Sequence, residues 1–218
     1  VMTGKSGVGK SCLLRKLIAD LPPGLYKPVY VCHTSVGIME FYTHLCVALG
    51  IEARARRAHM FRELKERINT LNGSDHVHPL LIIDEAHYLA NEILTELRLL
   101  ANFEMDSVNA LTILLCGSEN LTRRFALSVL ESLANSVTIT ISVASLSLEE
   151  TIAYIEGRLS AVGAMTPLFT QNALALVHQA SGGILRTINT IASAALLKAY
   201  YGTSQQVERE HVQAVLQR

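Results

Sequence analysis

The chain has 218 residues, half of them hydrophobic, which is enough to bury a sizeable core as one large domain or as a domain with a lid. Lys+Arg and Asp+Glu stand at 19 each, so no overall charge argues for a nucleic-acid or membrane surface, and any basic footprint has to be local. No apolar run reaches bilayer-spanning length and no signal peptide precedes the first motif. The four cysteines, Cys12, Cys32, Cys46 and Cys116, sit in apolar stretches without a close pair, which argues against disulfides or zinc. The expectation is a soluble cytoplasmic protein.

Val1–Thr3 reads as the tail of a strand, and the chain is expected to be part of something longer. A helix is predicted over Ser11–Leu21, with Leu13, Leu14, Leu17 and Ile18 on one face, stopped by Pro22-Pro23-Gly24. Pro28–Cys32 reads as a buried strand, and a helix over Gly37–Leu49 ends at Gly50. A charged, periodic helix spans Ala58–Leu71, turning Met60, Phe61, Leu64, Ile68 and Leu71 inward. Leu80–Asp84 is a continuous apolar run ending in acid, as a parallel strand covered on both faces requires. A helix follows over Asn91–Ala101, a strand over Leu111–Cys116, a helix over Leu121–Leu133 and a β-branched strand over Val137–Val143. From Ser147 the pattern is helical only. A capping box at Ser147–Glu150 opens the first helix, and further segments run over Thr170–Ala180, Gly183–Tyr201 and Val207–Leu216. The expected fold is α/β, a P-loop parallel-sheet core over 1–144 with helices on both faces, then a small all-helical lid over 145–218.

Gly4-Lys5-Ser6-Gly7-Val8-Gly9-Lys10-Ser11 matches G-x-x-x-x-G-K-[ST] at every specified position. The glycines let the backbone curl so that its N–H groups converge on phosphate oxygens, and the helix that follows adds its positive end. Such a loop followed by Cys12 at the helix start binds ATP, with Lys10 reaching the β- and γ-phosphates and Ser11 a ligand of Mg²⁺. Asp84 and Glu85 close the apolar strand; Asp84 suits the Mg²⁺ shell and Glu85 the role of base toward the attacking water. Asp84-Glu85-Ala86-His87 also spells a helicase box, but no other helicase motif stands in these residues, and a helicase is not expected. His76 and His78 lack a close third metal ligand and read as loop residues. Arg54, Arg56 and Arg57, with Arg62, Lys65 and Arg67, form the one dense basic stretch. Interleaved with Glu63 and Glu66, it reads as a solvated helix face ahead of a phosphate-backbone contact. Tyr200 and Tyr201 are expected to pack the end of the last long helix.

With phosphate loop, Asp84-Glu85 and helical tail in place, the chain resembles AAA+ ATPases, and among them the ExeA-type group of secretion A-proteins and transposon ATP-binding subunits. The marks are Leu80–Leu89 (LLIIDEAHYL), Leu97–Ser107 (LRLLANFEMDS), Leu114–Leu121 (LLCGSENL) and Ser181–Asn189 (SGGILRTIN). Asn102–Ser107 is more similar to the transposon-associated members. The resemblance implies a γ-phosphate sensor at Ser118, where the family usually has glutamine, and a nucleotide contact from Arg186, where Leu185 replaces the usual proline. It implies a homo-oligomer, with double-stranded DNA and a transposase as partners, or secretion-system components instead. The family's Gln-Arg before the last core strand is here Asn135-Ser136, and the next arginine is Arg158. That departure points to ATP binding with slow hydrolysis, and in the limit to a nucleotide-responsive binding module.

Overall fold

The computed structural model describes residues 1–32 and 34–217, the side chain of Asp106 excepted. Two compact units are present: Val1–Gly4 with Lys10–Ser142, and Lys5–Gly9 with Val143–Arg218.

The first unit is built on a five-stranded sheet in the order β2-β3-β4-β1-β5. The strands are β1 (Met2–Gly4), β2 (Tyr26–Val31), β3 (His78–Ile83), β4 (Thr112–Gly117) and β5 (Ile141–Val143). The pairings β2–β3, β3–β4 and β4–β1 are parallel. Five of the six β3 residues are buried, which explains why that segment is apolar without alternation. Helices α1 (Lys10–Asp20), α2 (Ile38–Leu49), α3 (Arg57–Asn72) and α4 (Asn91–Ala101) follow the sequence reading closely. Met60, Leu64, Ile68 and Leu71 form the buried stripe of α3 at three- and four-residue spacing, while Phe61 is only partly buried. Gly50 closes α2 in the left-handed region at φ 75°.

In this unit the bounds of two expected elements change. In place of one helix over Leu121–Leu133 there are α5 (Asn120–Phe125), a 3-10 turn at Ser128–Leu130 and α6 (Glu131–Asn135). Leu121 and Leu130 are both buried, yet nine residues apart they would lie on opposite faces of an unbroken helix, about 180° round. The break lets both reach the core. The Val137–Val143 strand shrinks to Ile141–Val143, because its neighbour offers little ladder: Ile141 N–H donates to Val1 O, and Val1 N to Ile139 O. Ile139 and Ile141 stay exposed.

The second unit holds α7 (Leu148–Ala161), α8 (Gln171–Ser181), α9 (Leu185–Tyr201) and α10 (Arg209–Leu216). Its own core draws on Ile155, Leu174, Val177, Ile188, Ala195 and Val212. The Ser147 box is formed: Glu150 N–H donates to Ser147 Oγ, and Ser147 N–H donates to the Glu150 carboxylate. Tyr200 and Tyr201 do not pack the end of α9. They are 76% and 79% exposed and meet edge to face, while Ala199 supplies that turn's buried contact.

Gly182 and Gly183 turn the chain between α8 and α9 at φ 58° and 72°. A Cβ on Gly183 would lie 2.1 Å from Leu146 O, and Gly183 O accepts from Leu146 N–H. A Gly183→Ala chain is therefore expected to lose at least about 2 kcal/mol from the second unit, combining left-handed strain with a backbone clash. Thermal unfolding followed by circular dichroism checks this, and an unchanged melt would contradict it.

Candidate functional site

In the first unit, the carboxyl ends of β1, β3 and β4 carry the expected groups, which is where ligands bind in open α/β sheets. Lys10 opens α1 and is buried, with its Nζ donating to Gly4 O at 2.9 Å. Ser11 Oγ donates to Asp84 Oδ2 at 2.9 Å, joining residues 73 positions apart. Asp84, directly after β3, is itself buried, and its carboxylate takes further donors. Tyr30 OH reaches Oδ2 at 3.0 Å and Glu85 N–H reaches Oδ1 at 2.9 Å. Burial first, and then the hydrogen bond to Asp84, push the Tyr30 phenol up to about 12.

Glu85 stands in the left-handed region at φ 53°, its side chain half-exposed, and its carbonyl accepts from Thr34 Oγ1 at 3.1 Å. A non-glycine residue held there carries backbone strain, which is frequent where a side chain must be aimed. Ser118 follows β4. Its Oγ is buried and finds no partner among the described residues. Cys12 lies exposed on α1.

In the second unit the crest of the glycine loop is held by the start of α9. Arg186 N–H donates to Gly7 O at 3.0 Å, and Arg186 Nη1 donates to Ser6 Oγ at 3.4 Å. Gly7 and Gly9 adopt φ 84° and 105°, and a Cβ on either would come within 3.0 Å of Arg186 or Leu185 side-chain atoms. Lys5 is exposed and Val8 buried.

Ser11 and Asp84 offer hard oxygen donors at hydrogen-bond distance from each other, the donor set that suits Mg²⁺, a cation that keeps most of its waters. The residues present fit that group. Elsewhere, among the described residues, no three His, Cys, Asp or Glu side chains gather to hold a metal. His78 is instead engaged by Asn72 Oδ1 and Thr112 Oγ1.

Sequence reasoning passed over Tyr30, Thr34 and His87. The strand expected to be buried over Pro28–Cys32 instead buries only Val29 and Val31 and leaves Tyr30 on its exposed side, in register with Ile82, so the sequence carried no signal for it. His87 accepts Ser118 N–H at Nδ1, 3.2 Å away, and lies 3.4 Å from Glu85 Oε2. The cysteines divide: Cys46 and Cys116 are buried, whereas Cys12 and Cys32 are exposed on the outer sides of their apolar stretches. Burial, reinforced by the nearby Asp84 carboxylate, pushes the Cys116 thiol up to about 12. Its stabilising contribution is full below its ordinary value near 9 and is lost as pH climbs toward 12, because the unfolded thiol ionises first. At pH 9.5, iodoacetamide is expected to alkylate Cys12 and Cys32 and to spare Cys116, as read by peptide mass spectrometry. Rapid alkylation of Cys116 in the folded chain would contradict this.

The basic stretch is largely neutralised. Arg54 pairs with Glu52 and Glu63, Arg57 with Glu92 and Glu96, and Arg62 with Glu66. The Asn102–Ser107 segment forms a tight turn with Glu104 and Met105 at φ 45° and 55°, and Met105 is 94% exposed. Asp106 within it has its side chain outside the described residues. The 3-10 turn over Glu104–Asp106 is anchored by Lys65, whose Nζ donates to Asn102 O and lies 3.8 Å above the Phe103 ring. No described helix is long and apolar enough to cross a membrane.

Comparison with known proteins adds four likenesses. A family model described as an AAA domain matches residues 1–125. Over 211 residues the chain is 30% identical to the general secretion pathway protein A of Aeromonas hydrophila, covering 95% of this chain and 38% of that protein. The ORC2 protein of Aeropyrum pernix in its ADP form superposes with a TM-score of 0.69 at 19% identity, covering 100% of this chain and 61% of that one. The ORC1 protein of the same organism, in complex with DNA, gives 0.64 at 19% identity, with coverage of 98% and 57%. The structural likenesses speak to the fold, and the chain spans less than two thirds of each relative.

Proposed function

We propose that this chain, which belongs to the AAA domain family as an AAA+ domain of the ExeA type, binds Mg²⁺-ATP and hydrolyses it slowly to regulate a larger assembly. The observation that carries the reading is the Ser11–Asp84 hydrogen bond, which brings the end of the glycine loop onto the acid of β3. The N–H groups of Lys5–Gly9 and of Lys10–Cys12 bind the phosphates, and Lys10 adds its charge at the β- and γ-positions. Ser11 and Asp84 hold the cation, which when bound neutralises charge developing on the phosphate oxygens. Glu85 accepts the proton of the attacking water, Ser118 Oγ is the donor left for the γ-phosphate, and Arg186 contacts nucleotide from the 145–218 lid. Slow turnover follows from Asn135-Ser136, where no arginine is offered to a neighbouring subunit in a homo-oligomer.

The assembly is read as double-stranded DNA with a transposase, in the cytoplasm. The Asn102–Ser107 turn, presenting Met105 to solvent, supports this, as does the fold shared with an ORC1 protein seen on DNA. A second reading, assembly of a secretion system, is favoured by 30% identity to a general secretion pathway protein over nearly the whole chain. The deciding experiment is phosphate release with MgCl₂, with and without duplex DNA at low salt, alongside fluorescent-ATP binding. Binding with slow, DNA-responsive release supports the first reading. Release indifferent to DNA shifts the assignment to the second, and binding with no release leaves a nucleotide-responsive module. No nucleotide binding at all would overturn the proposal.

A further inference from the structure

His87 sits in the 3-10 turn Ala86–Tyr88, between two groups assigned to the reaction, and its side chain is only 12% exposed. Its Nδ1 lies 3.2 Å from Ser118 N and 3.4 Å from Glu85 Oε2. One nitrogen cannot serve both in the same protonation state. A backbone N–H only donates, so bonding Ser118 requires a lone pair on Nδ1 and places the ring proton on Nε2. A carboxylate only accepts, so against that lone pair Glu85 gains no bond.

The rest of the surroundings fix the ring in this place. Arg124 Nη1 donates to His87 O at 2.9 Å, while Arg124 Nη2 reaches Asn91 Oδ1 on α4. The Tyr88 ring lies beside it, centroids 4.1 Å apart and planes tilted by 36°. A Cβ on Gly117 would come 3.2 Å from His87 Nδ1 and 3.3 Å from His87 N, so the glycine permits the close approach. Glu85, Tyr88 and Arg124 are thus the titratable or charged groups that these contacts bring to His87.

We infer that His87 is a positioning residue: its unprotonated Nδ1 ties the Ser118 amide to the end of β3 and leaves the Glu85 carboxylate unbound by it. Ser118 Oγ, buried and without a partner among the described residues, is located by the same bond that locates its amide. The sensor segment after β4 and the base after β3 are in this way set at one spacing before ATP arrives. The inference rests on the hydrolytic reading above.

The test uses His87→Asn, His87→Gln and His87→Ala in the full chain. Asparagine presents its Oδ1 near the place of Nδ1 and can accept from Ser118 N–H, whereas glutamine presents its oxygen near the place of Nε2. The Ala and Gln variants are expected to lose about tenfold in kcat with KM within about twofold, and Asn to stay within about threefold of the parent, since misplacement acts on the chemical step. A matching loss in Asn, or a loss carried by KM, overturns the inference. Imidazole ¹⁵N shifts supply a readout that needs no turnover, with an Nε2–H tautomer expected and Nδ1–H overturning the Ser118 bond. A parent chain without phosphate release would sink the hydrolytic reading and with it the effect on rate, while the tautomer would still decide the contact.

Discussion

A Lys10→Ala chain is expected to bind ATP about two to three orders of magnitude more weakly than the parent while keeping its fold. The lysine is buried at the first position of α1, and its ammonium rests on Gly4 O, a neutral acceptor. A triphosphate offers it charged acceptors in place of that carbonyl, and charge-assisted bonds are roughly twice as strong as neutral ones. Loss of the side chain removes its hydrogen bond to Gly4 O from the fold, worth about 1 kcal/mol, and the Lys10 charge from the complex. Titration calorimetry with Mg²⁺-ATP measures the first and thermal melting the second. Equal affinity in mutant and parent would refute the loop as the triphosphate cradle.

Replacing Glu85 by glutamine is expected to separate holding ATP from splitting it. Phosphate release should fall by about 10²- to 10³-fold, the range of a lost general base, with nucleotide affinity within about twofold. The exchange is nearly isosteric, and the backbone bonds that fix residue 85 do not involve its carboxylate: Asp84 Oδ1 takes its N–H and Thr34 its carbonyl. Only the proton acceptor disappears. Undiminished phosphate release in Glu85→Gln would remove Glu85 from the reaction and assign any activity to another group.

How much of this was legible in the sequence depends on distance along the chain. The glycine loop is eight contiguous residues whose spacing is set by backbone geometry, so the letters alone carry it. The acid after β3 was legible because a strand buried on both faces must be apolar until it leaves the sheet. Tyr30 and Thr34 were not, since they meet Asp84 and Glu85 across 54 and 51 residues, and only the β2–β3 register makes those contacts. The break after Phe125 was hidden because Leu121–Leu133 reads as continuous helix until it is known that Leu121 and Leu130 share one core. The tyrosine pair failed differently: apolar character suggested packing, but the phenol tips allow both rings to stay in water.

The hydrogen bond between Ser11 and Asp84 has a directional consequence. A hydroxyl owns one proton, and Ser11 commits it to Oδ2, leaving only electron pairs to present on its other side. Lys10, one residue earlier, has only protons to present. Adjacent positions of the chain are thereby sorted by sign, the ammonium facing what is negative and the hydroxyl oxygen what is positive. Threonine could keep that polarity at position 11, whereas alanine would erase it and leave Asp84 with Tyr30 as its hydroxyl donor.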